Sequence, residues 1–188
     1  ADSVPTQRDN LLAEGGRFYP KAMLALSLFR GMVQDACIDA MRRSLPDLSR
    51  ALGLQLESRQ VKAHAGPDKL GSGRVDYTWA NLGAKLESSE GPKCYLWNYI
   101  LWGDDTQPLS VIVSISFTDP GVAVRAWAKV QDHGTWKYDE DETEIYLLQS
   151  CNDAADLARL GSTLDEMNSE WIQLWKGVGG VKQFLEKR

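Results

Sequence analysis

At Gly53 the spacing of apolar residues changes, and that change limits the chain to a small set of architectures. Before it, from Pro20 to about Arg43, Met23, Leu26, Phe29, Val33, Cys37 and Met41 recur at intervals of three and four, which places them on one face of a long helix. After it the period is two. Segments 54–63, 74–86, 93–102, 109–117 and 122–131 are rich in Val, Ile, Tyr, Trp and Thr and are separated by turn residues, the pattern of an antiparallel meander. From Ser162 the period returns to three and four. The expected fold class is therefore α+β: N-terminal helices, an antiparallel sheet of five or six strands, and C-terminal helices packed on the sheet. No repeat or linker-like stretch divides the sequence, so residues 1–188 are expected to form one domain, and 43% hydrophobic residues suffice for its core.

Local signals refine the helices. Thr6 with Asp9 predicts a capped first turn and a short helix that stops at Gly15-Gly16, and Pro20 then opens the long one. Pro46 predicts a break, with Asp47 to Leu52 a short continuation. Near the C-terminus, Asn152-Asp153 opens a helix ending near Gly161. Ser162 with Asp165 caps the next, in which Leu164, Met167, Trp171, Leu174 and Trp175 face inward. A break at Gly177-Val178-Gly179-Gly180 precedes a last short helix that buries Val181, Phe184 and Leu185.

In the middle of the chain, Leu109–Phe117 and Val122–Gln131 read as a hairpin turning at Thr118-Asp119-Pro120-Gly121. One face of each strand is apolar and the other polar. Cys94 to Trp102 is apolar on both alternations, which predicts a central strand covered on two sides. Glu144 to Leu148 reads as a sixth, short strand.

Several function classes are disfavoured. No apolar run approaches the ~20 residues that cross a bilayer, and the first residues lack the basic flank and apolar stretch of a secretory signal. Cys37, Cys94 and Cys151 are far apart and odd in number, which argues against a disulfide framework or a cysteine-rich zinc site and fits a reducing cytoplasm. The net charge is −5, with seven carboxylates and no Lys or Arg between residues 138 and 157. A chain that grips phosphate backbones needs a basic excess, so nucleic acid is a disfavoured partner.

Catalytic patterns do not assemble. His64 and His133 lack metal-ligand partners at helical spacing. Arg59 and His64 form an R-x4-H string of a kind nucleases use on a helix, but it lies in an extended segment. Asp76 could begin a metal-dependent nuclease core, yet neither Lys85 nor Lys129 has an acid two residues before it. The run Asp139-Glu140-Asp141-Glu142 lacks the glycine and alternation of a calcium loop and reads as a hydrated turn or a dock for a basic partner. Lys69 to Arg74 reads as a loop with the ingredients of an anion nest. No cysteine has a histidine neighbour and no serine lies in a Gly-x-Ser-x-Gly elbow. No cofactor is expected.

Trp127 carries the functional expectation. On the polar face of the expected hairpin it stands between Arg125 and Lys129 and opposite Ser114, the composition of an interface anchor. With the acidic turn of Asp139, Glu140 and Asp141, this face predicts a non-catalytic binding or regulatory protein. It would recognise another macromolecule, a protein partner or a second copy of itself. The competing expectation is a small-ligand or enzymatic pocket between sheet and helices, lined by Trp79, Trp97, Tyr99 and Trp102.

Overall fold

The computed structural model describes residues 7–69, 75–88, 94–101 and 109–185. The fold is α+β as expected: a long helix α1 (Gln7–Leu52), then β1 (Val61–Lys69), β2 (Val75–Glu87), β3 (Cys94–Leu101) and β4 (Leu109–Phe117). Helix α2 (Pro120–Val130), strands β5 (Lys137–Asp139) and β6 (Glu144–Cys151), and helices α3 (Ala154–Ala158), α4 (Leu160–Gly177) and α5 (Lys182–Leu185) complete it. The six strands form one antiparallel sheet in the order β1-β2-β3-β4-β6-β5, with β1 and β5 at its edges. The β1–β2 register shifts between Gly66 and Asp68, at Pro67. Among the described residues no helix is long and apolar enough to cross a membrane.

The chain forms two compact units, Ala1–Met32 and Val33–Arg188. In the first, α1 carries Phe18, Tyr19, Met23, Leu24, Leu26, Leu28 and Met32 exposed, so the expected buried face does not extend to Met23 and Leu26. In the second, Val33, Cys37, Ala40, Met41, Leu45, Leu48 and Leu52 are buried at helical spacing, and the Cys37 thiol lies within hydrogen-bonding reach of the Ala84 backbone. The helix does not stop at Gly15-Gly16, restart at Pro20 or break at Pro46. At Pro46 the reason is visible. Leu45, Leu48 and Leu52 on either side of it are buried, and their burial outweighs the ~3 kcal/mol that an interior proline costs.

The larger correction concerns residues 122–131, which are helix α2 and not the second strand of a hairpin. The Asp119 carboxylate accepts from the backbone N–H of Gly121 (2.8 Å) and Val122 (3.3 Å), and Pro120 occupies the first helical turn. Val122, Ala126 and Val130 satisfy an i, i+4, i+8 stripe as well as an alternation, and with Ala123 they are the buried face. Strand β4 pairs instead with β3 and β6. Strand β5 was not anticipated, and the segment expected from residue 54 becomes a strand only at Val61, after a 3-10 turn at Ser58–Gln60.

One sheet face forms the core: Leu82, Ala84 and Leu86 of β2, Cys94, Leu96 and Ile100 of β3, Val111, Val113, Ile115 and Phe117 of β4, and Ile145 and Leu147 of β6. Helix α4 packs on β4 and buries Leu164, Met167, Trp171, Leu174 and Trp175, as expected. Phe184 and Leu185 of α5 and Val181 before it are buried too. Cys37 and Cys94 are small core residues whose thiols burial pushes up to about 12 and about 11. Burial, with Asp156 and Asp153 adding, also raises Cys151.

Among the described residues three buried side-chain N–H groups lack a hydrogen-bond partner, those of Asn98, Asn168 and Trp175. Asn168 on α4 is 1% exposed, and its side-chain N–H group has no hydrogen-bond partner among the described residues. Asn168→Leu removes the desolvation cost and replaces a poor helix former with a good one, so it should stabilise by about 1 kcal/mol or more. A urea melt should show the midpoint rise with an unchanged slope, and a fall would mean that the amide makes a bond the core depends on.

Candidate functional site

The second face of the sheet is only partly covered. Strand β3 is central, as expected, but its two faces differ. Cys94, Leu96, Asn98 and Ile100 are buried, whereas Tyr95, Trp97, Tyr99 and Leu101 are half-buried. The expectation of a strand covered on both sides is therefore corrected: its second apolar alternation is an aromatic ridge.

The register sets what surrounds the ridge. Trp97 lies opposite Lys85 on β2 and Ser114 on β4, Tyr95 opposite Ser116, and Glu144 on β6 opposite both Ser116 and Asp139. Gly83 lies between His64 and Tyr99. Having no side chain there lets the His64 ring reach Trp97, edge to face at 4.9 Å between centroids. The Trp97 indole N–H donates to the Ser116 hydroxyl at 2.9 Å, which fixes the ring along the sheet. The Tyr99 ring meets Trp97 edge to face at 6.4 Å. On the other side the Lys85 ammonium stands 4.1 Å over Tyr95 and 5.1 Å from Trp97.

Beyond the ridge the β5–β6 turn brings carboxylates. Asp139 accepts from the backbone N–H of Asp141 (3.0 Å) and Glu142 (3.2 Å), which tightens the turn. Thr143 follows with φ of 52°, held by the Phe117 N–H donating to its carbonyl at 3.2 Å. Glu144 then projects onto the open face, accepting from the Ser114 hydroxyl and, at 3.4 Å to each oxygen, from Tyr99. The result is a cleft of about 330 Å³ lined by His64, Trp97, Tyr99, Ser116, Asp139, Glu142 and Glu144. Among the described residues none of its three carboxylates has an ion-pair partner. A basic concavity of about 650 Å³ lies toward β1, with Arg59, Lys62 and Lys85 in its lining.

Burial holds the Glu144 carboxyl above the usual carboxylate range. Ser114 and Tyr99 pull it down, and the neighbouring Asp139 and Glu142 charges push it up. Burial, with the Glu144 charge next, also raises the Tyr99 phenol. A carboxyl raised on folding binds its proton more tightly in the folded state, so its ionisation is destabilising. Its share of stability is present below the unfolded carboxylate pKa and is lost as pH rises through the folded value. Glu144→Gln should therefore melt higher than the parent at pH 7 and converge with it below about pH 4. A variant that melts lower at pH 7 would mean that the ionised form is the one the fold prefers.

The structure divides the residues singled out in the sequence. Asp139 lines the cleft with Trp97 and Tyr99 from the competing pocket expectation, and Ser114, itself buried, donates to Glu144 at its wall. Trp79 and Trp102 lie outside the residues whose side chains are described, as do the loop at 70–74 and the side chain of Asp76. Glu140 and Asp141 are exposed in the turn. Trp127, Arg125 and Lys129 sit on α2 rather than facing Ser114 across a hairpin. Trp127 is half-buried and stacks on Tyr138 with centroids 5.7 Å apart, and Arg125 donates to the Phe184 carbonyl at 3.3 Å. The sequence reads His64 only as an incomplete metal or nuclease pattern and assigns nothing to Glu144. Their contribution follows from strand register, which pairs residues far apart in the chain.

Comparison with protein-family models, curated proteins and solved structures returns no match to this chain.

Proposed function

We propose that this chain is a non-catalytic binding protein that recognises a protein partner on the open face of its sheet. The observation that carries the reading is the half-buried ridge Tyr95-Trp97-Tyr99, flanked by Lys85 on one side and by Glu144 and Asp139 on the other. Aromatic side chains in partly desolvated positions, rimmed by charges of both signs, supply the contact area and the orientation that protein interfaces use. The acidic and basic ends lie on β6 and β2, three strand spacings or about 14 Å apart, a span that a short stretch of partner surface can bridge. The expected surface thus moves from α2 to the sheet and retains the acidic turn, with Ser114 beneath it as the donor to Glu144. A reducing cytoplasm belongs to the same reading, supported by three cysteines that are all buried as thiols.

The chain immobilised on beads should retain a stoichiometric protein from native lysate, and Trp97→Ser should lose it while keeping the parent's circular dichroism and melting temperature within a few degrees. Equal retention by the variant would overturn the reading. A second reading, a small-ligand site, is favoured by the cleft itself, because 330 Å³ falls in the lower range of ligand pockets. A small molecule released on denaturing the purified chain, with no protein retained, would select it.

A further inference from the structure

We infer that the cleft between the aromatic ridge and the β5–β6 turn takes a single organic cation, the guanidinium of an arginine side chain. This rests on the binding reading above and goes further by naming the group the partner must present. Two kinds of wall meet there. Trp97 and Tyr99 supply aromatic rings, a residue type that attracts a cation through the ring quadrupole, and guanidinium is a planar cation that also stacks on such rings. Glu144, Asp139 and Glu142 supply acceptor oxygens, and no cation of the described residues neutralises them. The chain's own nearby ammonium, Lys85, is committed to the opposite side of the ridge, over Tyr95.

The spread of the carboxylates favours an organic ion over a metal. Among the described residues no three carboxylate, imidazole or thiolate groups converge closely enough to hold a metal ion. A guanidinium carries five donors in a flat fork, so it can span two carboxylates while its face rests on an indole. The Ser114 hydroxyl and the Tyr99 phenol already donate to Glu144, holding its carboxylate toward the cleft and leaving acceptor capacity on its oxygens. The site is thus oriented before the ligand arrives, which reduces the entropy lost on binding.

The test uses the whole chain and two small probes, N-acetyl-arginine amide and its neutral isostere N-acetyl-citrulline amide. Titration followed by the indole N–H resonance of Trp97 should give saturable binding of the arginine probe and binding at least tenfold weaker for citrulline. Glu144→Gln should weaken the arginine probe about tenfold or more, and so should Asp139→Asn. Raising the salt from 50 to 500 mM should weaken it as well. Equal binding of the two probes, no shift of Trp97 with either, or unchanged affinity in both variants would overturn the inference. The two readings fail separately. A protein partner retained equally by the parent and by Glu144→Gln, with Trp97 silent to the arginine probe, removes the guanidinium site and leaves the interface. Arginine binding with no protein retained does the reverse.

Discussion

Val33→Asp should prevent the chain from folding cooperatively, whereas Leu26→Asp, seven residues earlier on the same helix, should leave the melting temperature within a few degrees of the parent. Val33 is 3% exposed and begins the buried stripe that continues through Cys37 and Met41, whereas Leu26 is 52% exposed. An aspartate at Val33 must either ionise without a partner in an apolar core or bind a proton to stay neutral, and either costs several kcal/mol. That is comparable to the whole stability of a domain, about 5–15 kcal/mol. At Leu26 the carboxylate stays in water. Soluble yield and thermal circular dichroism read both variants. A Val33→Asp chain with the parent's transition would mean that the Val33–Leu52 stretch does not pack as described.

Among the described residues of the sheet, Gly83→Ala should be the most damaging single-methyl change. A Cβ at this position would lie 2.1 Å from the Asn98 carbonyl oxygen and 2.5 and 2.7 Å from the Tyr99 Cα and Cβ. These are backbone and near-backbone atoms of the paired strand, so no rotamer change relieves the contact and β2 must move off β3. Overpacking a tight site typically costs about 1–3 kcal/mol, and a clash with backbone belongs at or above the top of that range. For a chain of this size the melting temperature should drop by about 6 °C or more. The variant should also weaken the arginine probe, because His64, Trp97 and Tyr99 take their spacing from this pairing. An alanine chain as stable as the parent would show that the two strands sit further apart than described.

The fold class was legible because burial repeats along the chain. The inward residues of α4 and the buried half of α1 follow from spacing alone, since a helix that must cover a sheet has to write its contact face into the sequence. Helix α2 was misread because alanine and valine at 122–126 satisfy two periods at once. The deciding signal is Asp119 followed by Pro120, a capping residue and a first-turn proline whose composition also suits a hairpin turn. The forward half of α1 misled differently. Its apolar residues have the right spacing for a buried face, but spacing says nothing of whether anything lies against it. The cleft was half legible. The sequence points to Trp97, Tyr99, Ser114 and Asp139 separately, for two rival sites, because only the order β3-β4-β6-β5 puts them side by side. That order depends on α2 carrying the chain away after β4, so the double periodicity at 122–131 hides the site as well as the helix.

The two edges of the sheet decide how a partner can approach. Proteins blunt exposed edges because a free row of backbone groups invites another strand to add itself, and short strands, bulges and prolines are the usual means. Here β5 is three residues long and runs into the acidic turn, while β1 carries Pro67 at the point where its register shifts. Strand addition is therefore discouraged at β5 and around Pro67 of β1, where the edge is shortest and least regular. The ridge itself is read by its side chains, from above the sheet. A partner need not be extended to be recognised, and a helix or a folded loop that presents one cation over the ridge would serve as well as a linear peptide.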